Sequence, residues 1–253
     1  MNQIKNRDIR DEIRDYWSAR AETFDNDPGH KIADGDERRA WMSLFLKHLG
    51  DARGRRLLDL ASGTGEIAML CHDMGFRVTG LDWAEPMLAR ARAKAKAAGA
   101  DITFLQADAE IIPAPSGLQD VIVTRHLVWT LVDPLAAFKE WRRLLAPNGI
   151  LLIVDGDFVS KSLFARVLSR VLGPVNPDHA QARNWHQEIL SQVYFANGAR
   201  AEAVADLLRQ AGFSDVRIDS RLSAVHRAQA RQLGWRKSLM RRSEHRYVIM
   251  ARR

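Results

Sequence analysis

Short apolar runs alternate with amphipathic stretches through the middle of the chain. Leu57, Leu58 and Leu60 form the first run, and residues 77–82, 102–106, 120–126 and 150–155 follow it. The last of these is apolar up to Asp155, enough to be buried on both faces as parallel strands are. Between the runs lie helical patterns. Residues 85–98 are rich in Ala, Lys and Arg, with Pro86 suited to a first helical turn. Residues 134–145 place Leu135, Phe138, Leu144 and Leu145 on one side, and Ala146-Pro147-Asn148-Gly149 reads as their stop signal. Residues 201–212 predict a further helix, and 216–218 and 246–250 are candidate final strands. This alternation predicts an α/β fold with a mostly parallel, doubly wound sheet. Residues 9–49 read as helices around the turn Asp25–His30, so 1–50 is expected to form a helical cover. Residues 158–197 read as a helical insertion after the fifth strand, inside a single domain spanning 1–253.

The turn after the first run carries the chemistry. Leu57-Leu58-Asp59-Leu60-Ala61-Ser62-Gly63-Thr64-Gly65-Glu66 predicts strand, glycine turn and helix start. Gly63 and Gly65 tolerate positive φ and carry no Cβ, so a ligand can approach the backbone. Gly63-x-Gly65-x-x-Ala68 also satisfies a dinucleotide fingerprint, with Asp82 at about the ribose spacing. Asp59 argues for a different ligand: a fixed carboxylate four residues before the first glycine suits a cationic amino group better than a phosphate.

Asp82, at the end of the second run, is a candidate acceptor for a ribose diol, or alternatively a helix cap. Trp83 is a candidate wall for an adenine face, or ordinary packing. Asp108, after the third run, is a candidate partner for an exocyclic amine such as adenine N6.

The order strand–Asp–x–x–x–Gly–x–Gly, strand–Asp, strand–Asp, strand, helix–Pro-Asn-Gly–strand resembles the class I S-adenosylmethionine-dependent methyltransferases. The resemblance is to their broad small-molecule group, which includes the ubiquinone-type enzymes, and its specific motifs span Leu57 to Asp155. It implies a seven-stranded sheet of order 3-2-1-4-5-7-6, with the last strand antiparallel. It implies S-adenosyl-L-methionine as cofactor, held at its methionine part by Asp59 and the backbone at Ala61, Gly63 and Gly65. Asp82 would hold the ribose, Trp83 and Met87 the adenine face, and Asp108 and Ala109 the adenine edge. Thr124, Arg125 and His126 would pass beside the sulfonium and amino group. Residues 16–25 resemble the family's aromatic N-terminal helix, and Arg20 there is a candidate partner for the cofactor carboxylate. Ser62 stands where the family often has Cys, and Phe24 where it often has Tyr, so a hydroxyl role at Phe24 is lost.

Methyl transfer from a sulfonium needs alignment, exclusion of water and, for some acceptors, a base. His126 is the first candidate base, with Asp155 the second; Asp157 and His186 follow, and His30 is too loosely placed to assign. The insertion after the fifth strand emerges beside the crevice of an open α/β sheet. It is therefore a candidate substrate lid, with Phe158, Trp185, His186, Tyr194 and Phe195 as candidate lining. No Asp/Asn-Pro-Pro-Tyr motif follows the fourth strand, and Thr124-Arg125-His126-Leu127 stands there instead, which points to a small-molecule acceptor at O, N or C.

With 46% hydrophobic and 27% charged residues the composition is that of a globular protein. Cys71 is the sole cysteine, which excludes an intrachain disulfide and a Cys-rich metal site. No His/Asp/Glu spacing suggests a metal, so none is expected. The N-terminus lacks a signal-peptide core, and no run approaches the ~18 apolar residues of a membrane span. A cytoplasmic location is the expectation. The formal net charge is +7, yet residues 221–253 hold ten Lys/Arg against one acid. That segment makes an RNA methyltransferase the alternative reading, although its aromatics are sparse and nucleic acid is not the expected partner. A dinucleotide dehydrogenase and a non-catalytic scaffold are the remaining readings. Oligomeric state has no signal in the sequence.

Overall fold

The computed structural model describes residues 8–27, 29–157, 185, 188–231 and 245–253. Helix α1 (Ile9–Arg20) and helix α2 (Asp36–Leu49) precede the sheet. The core then runs β1 (Arg56–Leu60), α3 (Glu66–Asp73), β2 (Arg77–Asp82), α4 (Glu85–Ala98), β3 (Thr103–Gln106), β4 (Gln119–Arg125), α5 (Pro134–Leu144) and β5 (Leu145–Asp157). It closes with α6 (Ala201–Gln210), β6 (Ser214–Asp219), α7 (Ser223–Ala230) and β7 (His245–Arg252). The seven strands form one sheet of order β3-β2-β1-β4-β5-β7-β6, with β7 antiparallel to both neighbours. Both the order and the single reversal match the expectation.

Alternation along each strand builds a core on either face. Leu58, Leu60, Ile122, Leu151, Ile153 and Ile249 meet Phe138 and Trp141 of α5 and Leu208 of α6. Their neighbours Leu57, Val121, Val123, Leu152, Val154 and Val248 meet Trp41 and Phe45 of α2, Leu70 of α3 and Leu88 of α4. A two-residue period therefore feeds both faces, as a doubly wound sheet requires.

One boundary differs from the sequence reading. Strand β5 begins at Leu145, so the expected stop at residues 146–149 lies inside the strand. Gln119 pairs with Leu145 and Val121 with Ile150, so four residues loop out opposite Asp120. Asn148 takes φ 63° in that bulge. Helix α5 ends at Leu144, as the stop signal requires, and the pairing on either side of the bulge carries the strand back to Leu145.

Candidate active site

A cavity of about 610 Å3 opens at the C-terminal ends of β1, β2 and β4, roofed by α1 and the loop after it. Ala61 and Gly63 at its floor, and Gly65 just beyond it, take positive φ, at 53°, 55° and 86°. The alanine is the strained member, since its Cβ crowds the left-handed conformation. The turn is held from β2: Ser62 N donates to Leu81 O at 2.9 Å, and Gly63 N donates to Asp82 Oδ2 at 2.8 Å. Asp82 Oδ1 accepts from Ala84 N at 2.8 Å, so one carboxylate braces the start of α4 as well.

Asp59 lines this floor and is only 1% exposed, with Oδ2 lacking a hydrogen-bond partner. Burial pushes its carboxyl up to about 8, with Arg125 opposing. Ser62 Oγ is also buried and unpartnered. A buried carboxylate oxygen without a donor is costly, and a bound ammonium would satisfy it.

Trp83, Met87, Asp108 and Ala109 form the next stretch of wall. The Arg14 guanidinium lies 5.7 Å above the Trp83 ring. Arg10 reaches down from α1 to Asp108 Oδ2 at 3.0 Å and to Glu110 Oε2 at 3.1 Å. Asp108 Oδ1 accepts from Glu110 N at 2.9 Å, so each of its oxygens already has one donor and keeps room for another. Glu110 itself accepts from Val132 N and Asp133 N, both at 2.9 Å.

An aromatic cluster covers this wall, with Trp17 and Phe24 packed against Ala84 and Met87. Trp17 packs edge-on against Trp129 at 6.2 Å and Phe24 at 5.9 Å, and Phe24 stacks on His30 at 4.0 Å. Leu127 and Leu131 complete this wall. Arg20 lines the cavity, but it is paired with Asp27 and donates to Tyr16 Oη at 3.3 Å; its buried Nε has no partner. Arg125 donates to the carbonyls of Gly29 (3.3 Å) and His30 (2.6 Å), and lies 5.6 Å over the Trp41 ring. It thereby ties the cover loop to β4. His126 takes φ 63°, its N donates to Val154 O at 3.1 Å, and Nε2 lies 3.3 Å from Arg246 Nη1.

Eleven expected site residues thus share one cavity: Arg20, Asp59, Ala61, Gly63, Asp82, Trp83, Met87, Asp108, Ala109, Arg125 and His126. Three do not reach it. Gly65 N donates to Ser62 O, and a Cβ at this position would come within 3.0 Å of Ala91 Cβ on α4. Thr124 is fully buried, its hydroxyl donating to Leu60 O at 3.0 Å, because strand alternation turns Arg125 and not Thr124 to the cavity. Asp155 is 1% exposed and accepts from Val128 N at 2.7 Å and Gly156 N at 2.8 Å, which makes it a brace for the Leu127–Val128 wall. Burial still raises its carboxyl to about 7.

The expected lid lining also changes. Trp185 packs edge-on against Tyr16 at 5.3 Å, Phe195 is buried in the core beside α6, and Tyr194 is exposed. None of these three lines the cavity. Phe158 and His186 lie outside the described residues. Reading the sequence left His30 unassigned, placed Trp17 only within the covering aromatic helix, and missed Arg10, Glu110, Trp129 and Arg246; all six line the cavity. His30 stood in a recognisable turn, and Arg10 and Arg246 sit on elements far from the motifs in sequence. No local spacing pointed to the last two.

The donor set fits S-adenosylmethionine. The partnerless Asp59 Oδ2 could accept from an ammonium, Asp82 has acceptor capacity left for a ribose, and Trp83 with Met87 offers an apolar wall. A family model described as a methyltransferase domain matches residues 58–153. A demethylmenaquinone methyltransferase of Thermus thermophilus is 34% identical over 170 residues, covering 63% of this chain and 74% of that protein. One of the same name from Lactococcus lactis is 30% identical over 200 residues, covering 75% and 77%. Among solved structures, phosphoethanolamine N-methyltransferase 2 of Haemonchus contortus with bound S-adenosyl-L-methionine superposes with a TM-score of 0.68 at 15% identity. That match covers 98% of this chain, which spans 60% of the longer protein, and it shows the fold. With relatives of this identity matched over about three quarters of their length, the chain belongs to the class I S-adenosylmethionine-dependent methyltransferases.

Proposed function

We propose that the protein methylates a small, flat aromatic acceptor of the quinol or phenol class. The observation that carries this reading is the aromatic and apolar part of the cavity lining, Trp17, Phe24, Trp129, Leu127 and Leu131. Such walls favour an aromatic ring that offers one polar edge. The two curated relatives bear the name of a methyltransferase for demethylmenaquinone, a quinone, which supports the same class.

In this reading Asp59 receives the ammonium of the cofactor, which supplies the electrophilic methyl group. Asp82 and the Gly63 turn seat the ribose side, and Trp83, Met87 and Asp108 the adenine. Arg20 turns its guanidinium to the carboxylate. Arg125 keeps the cover loop shut, so that water is excluded from the transfer. Residues 188–193 press Ile189 and Val193 onto Tyr16 of α1, which supports a lid role for the 158–197 insertion acting through the cover helix.

The basic C-terminal segment supports an RNA partner poorly. Arg221 pairs with Asp219, Arg231 with Asp36 and Arg252 with Asp215, while Arg246 lines the cavity. Calorimetry with S-adenosylhomocysteine, followed by labelled methyl transfer to 1,4-naphthalenediol and to a short RNA, tests the reading. Binding of the thioether with transfer to the diol is expected. Transfer to RNA alone would overturn it.

A further inference from the structure

Two imidazoles line the cavity, His30 from the cover and His126 from the end of β4, with ring centroids 6.1 Å apart. Their partners fix the proton on each. His30 Nδ1 lies 2.9 Å from the Phe24 carbonyl oxygen. A carbonyl only accepts, so Nδ1 carries the hydrogen and Nε2, on the opposite edge, carries the lone pair. His126 Nε2 lies 3.3 Å from Arg246 Nη1. A guanidinium only donates, so the Nε2 lone pair of His126 is engaged, and a proton added there would set two cations side by side.

The surroundings of His30 hold its ring in place and keep it neutral. Its ring is clamped by the Phe24 stack at an interplanar angle of 18°. Asp27 Oδ2 stands 3.9 Å from Nδ1 and is itself held by Arg20. The charged groups facing the ring are Asp27, Arg20 and Arg125; burial holds the group down to about 4, so the lone pair is available at neutral pH.

We propose that His30 is the catalytic base, its Nε2 touching the acceptor and taking the proton that the methyl group replaces, with Phe24 O and Asp27 orienting the ring. The inference rests on the methyltransferase reading above and names the group within that site which moves the proton. The methyl–sulfur bond breaks with its electron pair left on the thioether, the acceptor–methyl bond forms, and the acceptor's proton passes to Nε2. The positive charge lost at sulfur thus reappears on the imidazole in the same cavity, so transfer creates no net charge there. His126, locked by Arg246, becomes a positioning residue for the Leu127–Trp129 wall.

The test uses the full chain with selectively 15N-labelled histidine and bound S-adenosylhomocysteine. His30→Asn identifies the His30 signals, because its amide keeps a donor for Phe24 O while removing Nε2. The expected result is an unprotonated Nε2 on His30 at pH 7, shifted when 1,4-naphthalenediol is added. His30→Asn should then cut turnover of the diol at least a hundredfold, with affinity for the thioether within twofold of wild type. His126→Asn should stay within tenfold. A His30 protonated on Nε2, a diol that shifts only His126, or a diol that shifts neither would overturn the proposal. Failure of S-adenosylhomocysteine to bind would instead strike the methyltransferase reading, whichever tautomer His30 shows.

Discussion

Gly63 donates its backbone N–H to Asp82 Oδ2 at 2.8 Å, which joins the glycine turn of β1 to the last residue of β2. The same carboxylate accepts from Ala84 N, so the shape of the cofactor floor and the start of α4 depend on one side chain. Asp82→Ala removes both bonds and leaves two partly buried N–H groups without acceptors. The expected cost is about 2–4 kcal/mol of stability, with affinity for S-adenosylhomocysteine reduced tenfold or more. Thermal melts and calorimetry check both. A stable variant with wild-type affinity would show that the turn holds its shape without Asp82.

Asp59 gives a pH signature with a definite sign. Its folded carboxyl lies at about 8, against an ordinary value of 3.8. Between those values the folded protein binds more protons than the unfolded chain, so stability falls as pH rises through the window. Asp59→Asn abolishes that loss. The variant should match wild type in urea near pH 4 and exceed it increasingly toward pH 8, while losing cofactor binding. A bound ammonium reverses the preference and ionises the acid. Binding at pH 7 should accordingly release about one proton, measured by calorimetry in buffers of different ionisation enthalpy. Proton-neutral binding would mean that Asp59 is already charged in the free protein.

Most of the fold was legible because parallel strands buried on both faces leave apolar runs, as at Leu57–Leu60 and residues 150–155. The stop at Ala146-Pro147-Asn148-Gly149 ended α5 at Leu144 as expected, while a bulge admits its turn residues into a strand that pairs on both sides. Site residues following a motif on their own strand, such as Asp59 and Asp82, were legible as well. Thr124 was misplaced through a one-residue error of facing, which local pattern cannot resolve where both strand faces are buried. Asp155 sat at the correct strand end, but backbone donors from residues 128 and 156 claim its carboxylate. Arg10, His30 and Arg246 were illegible for a different reason: tertiary packing alone brings them to the cavity.

Arg10 is the ionic tie between the cover helix and the adenine wall. Its side chain is 20% exposed and meets Asp108 and Glu110 at 3.0 and 3.1 Å. Both carboxylates keep backbone donors without it, so Arg10→Met should spare the wall and loosen α1 alone. Amide exchange across Ile9–Arg20 should quicken by about tenfold, equivalent to roughly 1–2 kcal/mol of local opening, with β1, β4 and β5 unchanged. Dissociation of S-adenosylhomocysteine should quicken in parallel. Unaltered exchange in α1 would show that the apolar contacts of Tyr16 and Trp17 hold the cover unaided.

Lys94 of α4 closes the other side of the cover. Its Nζ lies 2.8 Å from Asp25 Oδ2, 2.6 Å from Glu66 Oε1 and 3.1 Å from Thr64 Oγ1. Thr64 donates to Asp25 Oδ1 at 2.6 Å, and Glu66 Oε2 accepts from Ile32 N at 2.8 Å, so cover loop, glycine turn and α3 meet on this one cation. Lys94→Met strands two mostly buried carboxylates beside each other. Given their partial exposure, the expected loss is roughly 2–3 kcal/mol at pH 7. Burial alone would raise Asp25, yet the bonds from Lys94 and Thr64 more than offset it and hold the group below its ordinary value. Its stabilisation is therefore present above about pH 4 and lost as pH falls through the depressed folded value. Urea unfolding should show the full difference between wild type and Lys94→Met at pH 7 and a shrinking one toward pH 3. A difference independent of pH would mean that Lys94 acts through the packing of its aliphatic stem rather than through its charge.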